Sequence, residues 1–417
     1  MVSIKKLHPT TKKLILARAF RSIGQGALVV DLALYLHALG WNGFHIGLVL
    51  SLAGLLGALL SLGVGIASDR LHRRPFILVY ESIVFVCSIT ALLTSQRIVL
   101  WIVIIAAGFG RGANGAAGPF SPVEQAWLAE EVPPIDRGWV YSMNTAFGFL
   151  GMGLGAIFAM LPAFLSPYLE KGSSSFTVAA IAYRPLFVIV AVATVANFFL
   201  IFNANEKFSP SRQKKVSKEI IAEKNIRKQE NKMLTGLVFL NSFNGLAVGF
   251  TGPLISYWFA IKFGVGPASI APIMAVTFFI TGLSSILTGR LTQKIGIVQS
   301  VVWARSFGLL LLIILPIVPF FWLASLLYLL RSAFNRGSVG ARQALTVGLV
   351  RDERRGFATS LNAMSMQLPQ SLGPSIAGFL FSAGDLELPF YAGAFFQGIY
   401  LVLYGWFFRN QNKPAEK

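Results

Sequence analysis

Long apolar runs alternate with short polar breaks along this chain. Each run is near twenty residues, the length a helix needs to cross about 30 Å of hydrocarbon. The pattern predicts twelve spans, at roughly 14–39, 44–67, 76–94, 98–128, 138–165 and 183–202. The second set lies at roughly 233–260, 267–291, 297–318, 321–349, 356–382 and 388–408. The expected fold class is an all-α integral membrane protein, its helices shared between two pseudo-symmetric six-helix bundles.

One long hydrophilic segment, NEKFSPSRQKKVSKEIIAEKNIRKQENK, separates the sixth and seventh runs. It divides the chain into a first bundle over 1–202, a central loop over 203–232, a second bundle over 233–409 and a tail over 410–417. Glu223 and Arg227 have the favourable i, i+4 polarity, so part of the segment can be helical. As a whole it reads as a solvated linker.

Composition supports the spans and adds an orientation. Of 417 residues 55% are hydrophobic and 13% charged, about half the charged share of a soluble domain. Mean hydropathy is +0.66. The net charge of +19 raises the question of nucleic acid, but its placement argues against that reading. Lysine and arginine fall in the N-terminal segment, alternate short loops, the central loop and the tail, whereas WNGF and SAGDLELP have none. That is positive-inside asymmetry, which places both termini in the cytoplasm and the chain in the plasma or inner membrane. The basic N-terminal stretch precedes an apolar run too long for a signal peptide, so it reads as a retained first helix. A single cysteine, Cys87, supports neither a disulfide nor a thiolate metal site.

The halves resemble each other. DRGWVYSMN (136–144) aligns with RRGFATSLN (354–362), placing Arg137 on Arg355, Gly138 on Gly356, Ser142 on Ser360 and Asn144 on Asn362. The same offset sets EQA (124–126) on RQA (342–344), and a two-residue slip sets Arg111 on Arg331. GIASDRLH, beginning at Gly65, is echoed by GRLTQKIG (289–296), with Gln293 where Asp69 stands. Internal symmetry between six-helix halves is the signature of a secondary transporter.

GIASDRLHRRP, Gly65 to Pro75, follows the pattern G-x-x-x-D-R-x-G-R-R through Gly65, Asp69, Arg70, Arg73 and Arg74, departing at His72. Arg111 is followed four residues later by Gly115. On these motifs the chain resembles the major facilitator superfamily over nearly its whole length. The resemblance implies the twelve-helix fold of that superfamily. It also implies that Gly65 permits close helix contact and that Asp69 meets a neighbouring helix end or arginine, steadying the outward-facing state. Arg70, Arg73 and Arg74 are expected to hold the turn at the lipid head groups. Drug:proton antiporters of this superfamily carry a glycine-rich fifth helix ending in Gly-Pro. Here the fifth helix has Gly148, Gly151, Gly153 and Gly155 without that proline, and Gly373-Pro374 occurs in the eleventh.

Ionisable residues inside spans cost about 2.5–3.5 kcal/mol at the bilayer centre, so each needs a reason. In the superfamily, helices one, four, seven and ten line the central cavity. The first carries Gln25, Asp31 and Tyr35. A carboxyl in a partly dry cavity can take up and release a proton near neutral pH. Asp31 is thus the first proton-coupling candidate; pairing with an arginine or a place at the outer interface is the alternative. The resemblance adds Arg111 in proton coupling or helix packing. Arg331, Arg336, Asn114, Asn241 and Asn244 are cavity candidates, although buried asparagines more often tie helices together. Three cavity arginines against one clear acid suit an anionic substrate. Glu124 and Arg342 are repeat equivalents of opposite sign and form a candidate gating pair, against separate local partners. Glu81 and Arg305 read as packing partners of neighbouring groups. His8, His37, His45 and His72 lie too far apart for a metal site.

The dipeptide Gly-Lys is absent, which excludes a phosphate loop of the usual kind, and no convergent nucleophile or acid–base set suggests an enzyme. The reading is a secondary transporter working by alternating access, exporting drug-like or hydrophobic compounds with a proton gradient as energy source and no cofactor. The alternatives are a permease or exchanger of an organic anion and, behind it, a sensor that kept the fold without transport. The expected partners are a small-molecule substrate and the bilayer, with the chain as a monomer and no nucleic acid.

Overall fold

The structure, a computed structural model, describes residues 7–68, 72–110, 121–133, 136–169, 180–206, 220–295, 297–337, 339, 342 and 355–408. These form sixteen α-helices and no strand among the described residues. The first half contains α1 (Pro9–Ala38), α2 (Gly43–Ser68), α3 (Arg73–Leu93) and α4 (Arg97–Ala107), then α5 (Ser121–Glu131), α6 (Arg137–Phe158), α7 (Leu161–Leu169) and α8 (Pro185–Phe202). The second contains α9 (Ile220–Thr251), α10 (Ile255–Phe263), α11 (Pro267–Ile295) and α12 (Ile297–Ile314). It ends with α13 (Phe321–Gly337), α14 (Arg355–Gln370), α15 (Gly373–Ser382) and α16 (Leu388–Phe407).

Among the described residues, nine helical stretches are long and apolar enough to cross a membrane. They coincide with nine of the twelve expected spans. The other three are met in pieces: 98–128 contains α4 and α5, 321–349 opens with α13, and 356–382 is split into α14 and α15. The second part of the central hydrophilic segment, from Ile220, is continuous with α9, so it extends a spanning helix.

Proline explains where helices break near the middle of the molecule. Pro253 has no N–H to continue a ladder and disfavours helical geometry in the residue before it. Helix α9 accordingly ends at Thr251 and α10 begins at Ile255. Pro374 sits in the first turn of α15, where a missing N–H costs nothing.

Packing repeats between the halves. Helix α1 packs on α6 and α8 as α9 packs on α14 and α16, and α3 meets α8 as α12 meets α16. Two reciprocal contacts join the halves, α2 against α14 and α15, and α6 against α11. The α1–α6 seam needs glycine: a Cβ on Gly155 would run into the carbonyl oxygen of Ile23 and lie 2.8 Å from the Ala27 nitrogen. Around an apolar core, the exterior also carries many large apolar side chains, and charged and amide groups are buried within. Val79, Val86, Ile98 and Trp303 face outward, while Arg21, Glu81, Asn241 and Gln397 are buried. Lipid is the medium that tolerates this arrangement.

Candidate functional site

The two ends of the bundle differ. At the end carrying the start of α1, Thr10 Oγ1 donates to the Asn205 carbonyl at 3.2 Å, tying α1 to the chain after α8. At the opposite end the halves meet directly. The Phe44 N–H donates to Ser382 Oγ at 3.0 Å, Phe44 stacks edge-on to Phe379 at 6.4 Å, and His37 packs on Tyr257 at 5.3 Å. Deeper in, the Ser375 N–H donates to Ser51 Oγ at 2.9 Å.

Behind this closure lies a cavity of about 170 Å³, room for roughly ten waters or a small organic molecule. It runs from Thr251, Pro253, Ser371 and Pro374, the two helix breaks, towards Arg342 and Tyr404 nearer the terminal end. Among the described residues the second half supplies most of the wall; the first contributes Leu50, Gly54, Gly110, Ser121 and Gln125. Among the described residues four arginines line it, Arg305, Arg331, Arg336 and Arg342, and no acidic side chain does.

Neutral groups position three of these guanidinium ions. Arg305 Nη1 donates to Asn244 Oδ1 at 2.5 Å and its guanidinium lies 4.8 Å from the centre of the Tyr400 ring. Arg331 Nη2 donates to Thr251 Oγ1 at 3.1 Å, and Arg336 Nη2 to the Tyr328 hydroxyl at 3.1 Å. Among the described residues, Arg305 Nε, Arg331 Nε and Arg336 Nη1 are buried with no acceptor. Asn241 both lines the cavity and ties helices, donating to Asn362 Oδ1 at 2.8 Å across α9 and α14.

A smaller cavity of about 40 Å³ lies inside the first half, between α1, α3 and α8, large enough for two or three waters. Arg21, Gln25, Tyr80 and Glu81 line it, and Gly110 borders both cavities. Arg21 joins three helices there. Its Nε donates to Glu81 Oε1 and its Nη1 to Glu124 Oε2, each at 2.8 Å. Gly148 leaves the space beside this cluster that Arg18 occupies, since a Cβ there would lie 2.8 Å from Arg18 Nε.

Several expected positions are met and others are corrected. Asn241, Asn244, Arg331, Arg336 and Arg342 line the central cavity, and Gln25 lines the smaller one. Tyr35 reaches neither; it is buried against Tyr183 at 6.0 Å and Phe187 at 5.6 Å. Asp31 also lies outside both linings, fully buried, with neither carboxylate oxygen bonded to a described residue. The reason is helical phase: Asp31 falls about 120° around α1 from Gln25. Glu81 pairs with an arginine as expected, but Arg305 belongs to the cavity wall. Glu124 is held by Arg21, which is the local-partner alternative weighed against a pairing with Arg342.

Arg73 is likewise turned inward instead of reaching for head groups. It clamps Glu130 at the end of α5 through two bonds of 2.6 and 2.7 Å. Glu206 accepts from the Arg73 and Arg74 backbone N–H groups at 2.8 and 3.1 Å, satisfying the exposed start of α3. Arg74 stacks over Phe202 at 4.8 Å. Gly65 lies in the last turns of α2. Asp69, Arg70, Arg111 and Asn114 lie outside the described residues.

Sequence reasoning missed Thr251, Gln397 and Tyr400 in the wall. Gln397 Nε2 donates to the Arg305 carbonyl at 3.1 Å. A cue for Arg305 was available: from 231 to 408 the only acids are Asp352, Glu353, Asp385 and Glu387, none of them inside an expected span.

Comparison with known proteins agrees with this architecture. The multidrug resistance protein MdtG of Salmonella heidelberg (strain SL476) is 26% identical over 390 residues, 90% of this chain and 89% of its own length. Two solved structures share the fold. A bacterial homologue of the human lysosomal transporter Spinster, inward-facing and unoccupied, superposes with TM-score 0.68 at 15% identity, over 98% of each chain. The nucleoside transporter NupG does so with TM-score 0.65 at 13% identity, over 96% of this chain and 100% of its own. The model of the Major Facilitator Superfamily matches residues 14–334 and 237–417. That match, to which the two packed halves and the cavity at their junction conform, shows that the chain belongs to the major facilitator superfamily.

Proposed function

We propose that this chain, a multi-pass secondary transporter and not an enzyme, exports small organic compounds across the plasma or inner membrane in exchange for protons. It works as a monomer with both termini in the cytoplasm. The observation that carries the reading is the central cavity at two broken helices, behind an end where the halves touch. Secondary transporters build substrate sites of this kind at helix breaks near the midplane and expose them by rocking one bundle on the other. The basic segment within 203–232 supports a cytoplasmic assignment for the end carrying the start of α1. Export of varied organic compounds is supported by the name and near-complete coverage of the multidrug resistance relative.

Proton exchange is assigned to Asp31. Its carboxyl is buried with no hydrogen-bond donor or cation at it among the described residues, so a change in its surroundings as the bundles rock would alter its hold on a proton. The Arg21–Glu81–Glu124 cluster has the complementary role of holding α1, α3 and α5 together while the bundle moves. Arg73 and Glu130 fasten the turn before α3 in the same way. Flux into inverted vesicles, driven by an imposed pH gradient and stopped when a protonophore collapses it, tests the reading. Gradient-independent leakage equal to that of vesicles lacking the protein is the contrary result.

A further inference from the structure

We infer that the substrate carries a compact oxyanion, such as a phosphonate, sulfonate or carboxylate, on an apolar body, and that Arg305, Arg331 and Arg336 bind it. The inference rests on the transport reading above and specifies its substrate class.

Charge balance differs between the two halves. In the first, Arg21 is matched by Glu81 and Glu124, both within 2.8 Å. In the second, the charged groups acting on Arg305 and Arg331 include further arginines and, among the described residues, no carboxylate. Asp385 and Glu387 lie in the turn before α16, where Asp385 accepts from the Leu388 N–H at 3.0 Å. Arginine stays charged, and a buried charge requires a partner. Arg305, Arg331 and Arg336 are 4%, 6% and 6% exposed, and their protein acceptors are neutral amide or hydroxyl oxygens. Each keeps at least one buried N–H with no acceptor among the described residues. The countercharge that completes this site is therefore the ligand's.

Two further features favour an anion. The breaks after α9 and α14 bring the N-terminal ends of α10 and α15 to the cavity, through Gly252–Pro253 and Ser371–Pro374 in its wall. Helix N-termini carry partial positive charge and exposed N–H groups. Leu50, Leu237, Val248, Val339 and Met366 also line the cavity and suit an apolar body. A cation would face the like charges of Arg305, Arg331 and Arg336, with no acid beside them among the described residues.

The test uses the full chain in lipid nanodiscs and three probes of similar size: phenylphosphonate, benzyl alcohol and benzyltrimethylammonium. Phenylphosphonate should raise the melting temperature in a concentration-dependent way, and the neutral and cationic probes should not. Arg331→Gln and Arg336→Gln should each weaken phenylphosphonate binding by about tenfold or more, while Arg331→Lys retains part of it. Equal stabilisation by all three probes, or unchanged affinity in both glutamine variants, overturns the inference. Should a variant fail to fold, the ranking of probes on the wild-type protein still decides. A parallel flux assay separates the two readings. Gradient-driven flux of a cationic dye without phenylphosphonate binding overturns the oxyanion site alone. Phenylphosphonate binding without gradient-driven flux of any probe upholds the site and overturns proton-driven export.

Discussion

Arg21 Nη1 and Glu124 Oε2 meet at 2.8 Å through side chains that are 8% and 4% exposed. The same guanidinium holds Glu81 at 2.8 Å, so three helices share one cation. Removing it leaves two buried carboxylates without their countercharge. Arg21→Met should therefore destabilise the protein by about 3–5 kcal/mol, or prevent its accumulation. Thermal unfolding in detergent measures this, and a melting temperature equal to wild type contradicts it.

The same pair predicts which charge exchange fails. Glu124→Arg should abolish transport, and adding Arg342→Glu should not restore it, because Glu124 is engaged by Arg21 and Arg342 lines the cavity. Restored flux in the double variant would show that Glu124 and Arg342 meet in another state of the cycle.

These charges show how far the sequence is legible. Apolar run length is a strong local signal, and nine of the twelve expected spans coincide with helical stretches long and apolar enough to cross a membrane among the described residues. The internal repeat singles out Arg331, expected in the cavity, and Arg342, expected at a gate; both line the cavity. What periodicity alone cannot supply is the rotational phase of a helix buried on every side. Asp31 and Tyr35 share α1 with Gln25, yet only Gln25 faces a cavity. Partner choice is similarly hidden: Glu124 and Arg21 are 103 residues apart, and no local pattern links them. Helix breaks were within reach, since Pro253 and Pro374 mark both interruptions at the cavity.

Asp31→Asn should leave the melting temperature close to wild type, because the carboxylate makes no hydrogen bond to a described residue. It should uncouple transport, leaving facilitated exchange of substrate that no longer responds to a pH gradient. Full gradient-driven accumulation in this variant removes Asp31 from proton exchange.

Closure of the end away from the termini can be trapped. Cys87 is the only cysteine, so a Cys87→Ser background permits a Phe44→Cys and Ser382→Cys pair. Phe44 and Ser382 are in direct contact, N to Oγ at 3.0 Å. Oxidation should cross-link the two halves and stop flux, and reduction should restore it. Undiminished flux after complete cross-linking contradicts alternating access through this end.

Gly155 tests the seam on which the first bundle is built. Gly155→Ala brings a Cβ against the Ile23 carbonyl and within 2.8 Å of the Ala27 nitrogen. Backbone cannot move aside as a side chain does, so the expected cost is about 1–3 kcal/mol. A melting curve unchanged from wild type would mean that α1 and α6 pack more loosely than described.

Reconstitution tests proton-driven transport through the arginine-lined cavity most directly. Purified protein in liposomes, given an imposed pH gradient, is assayed for movement of phenylphosphonate and ethidium beside empty liposomes and the Arg331→Gln variant. Gradient-dependent flux of phenylphosphonate, abolished by a protonophore and strongly reduced in Arg331→Gln, is the predicted result. Flux of both probes no greater than in empty liposomes, or flux insensitive to both the gradient and Arg331, would contradict it.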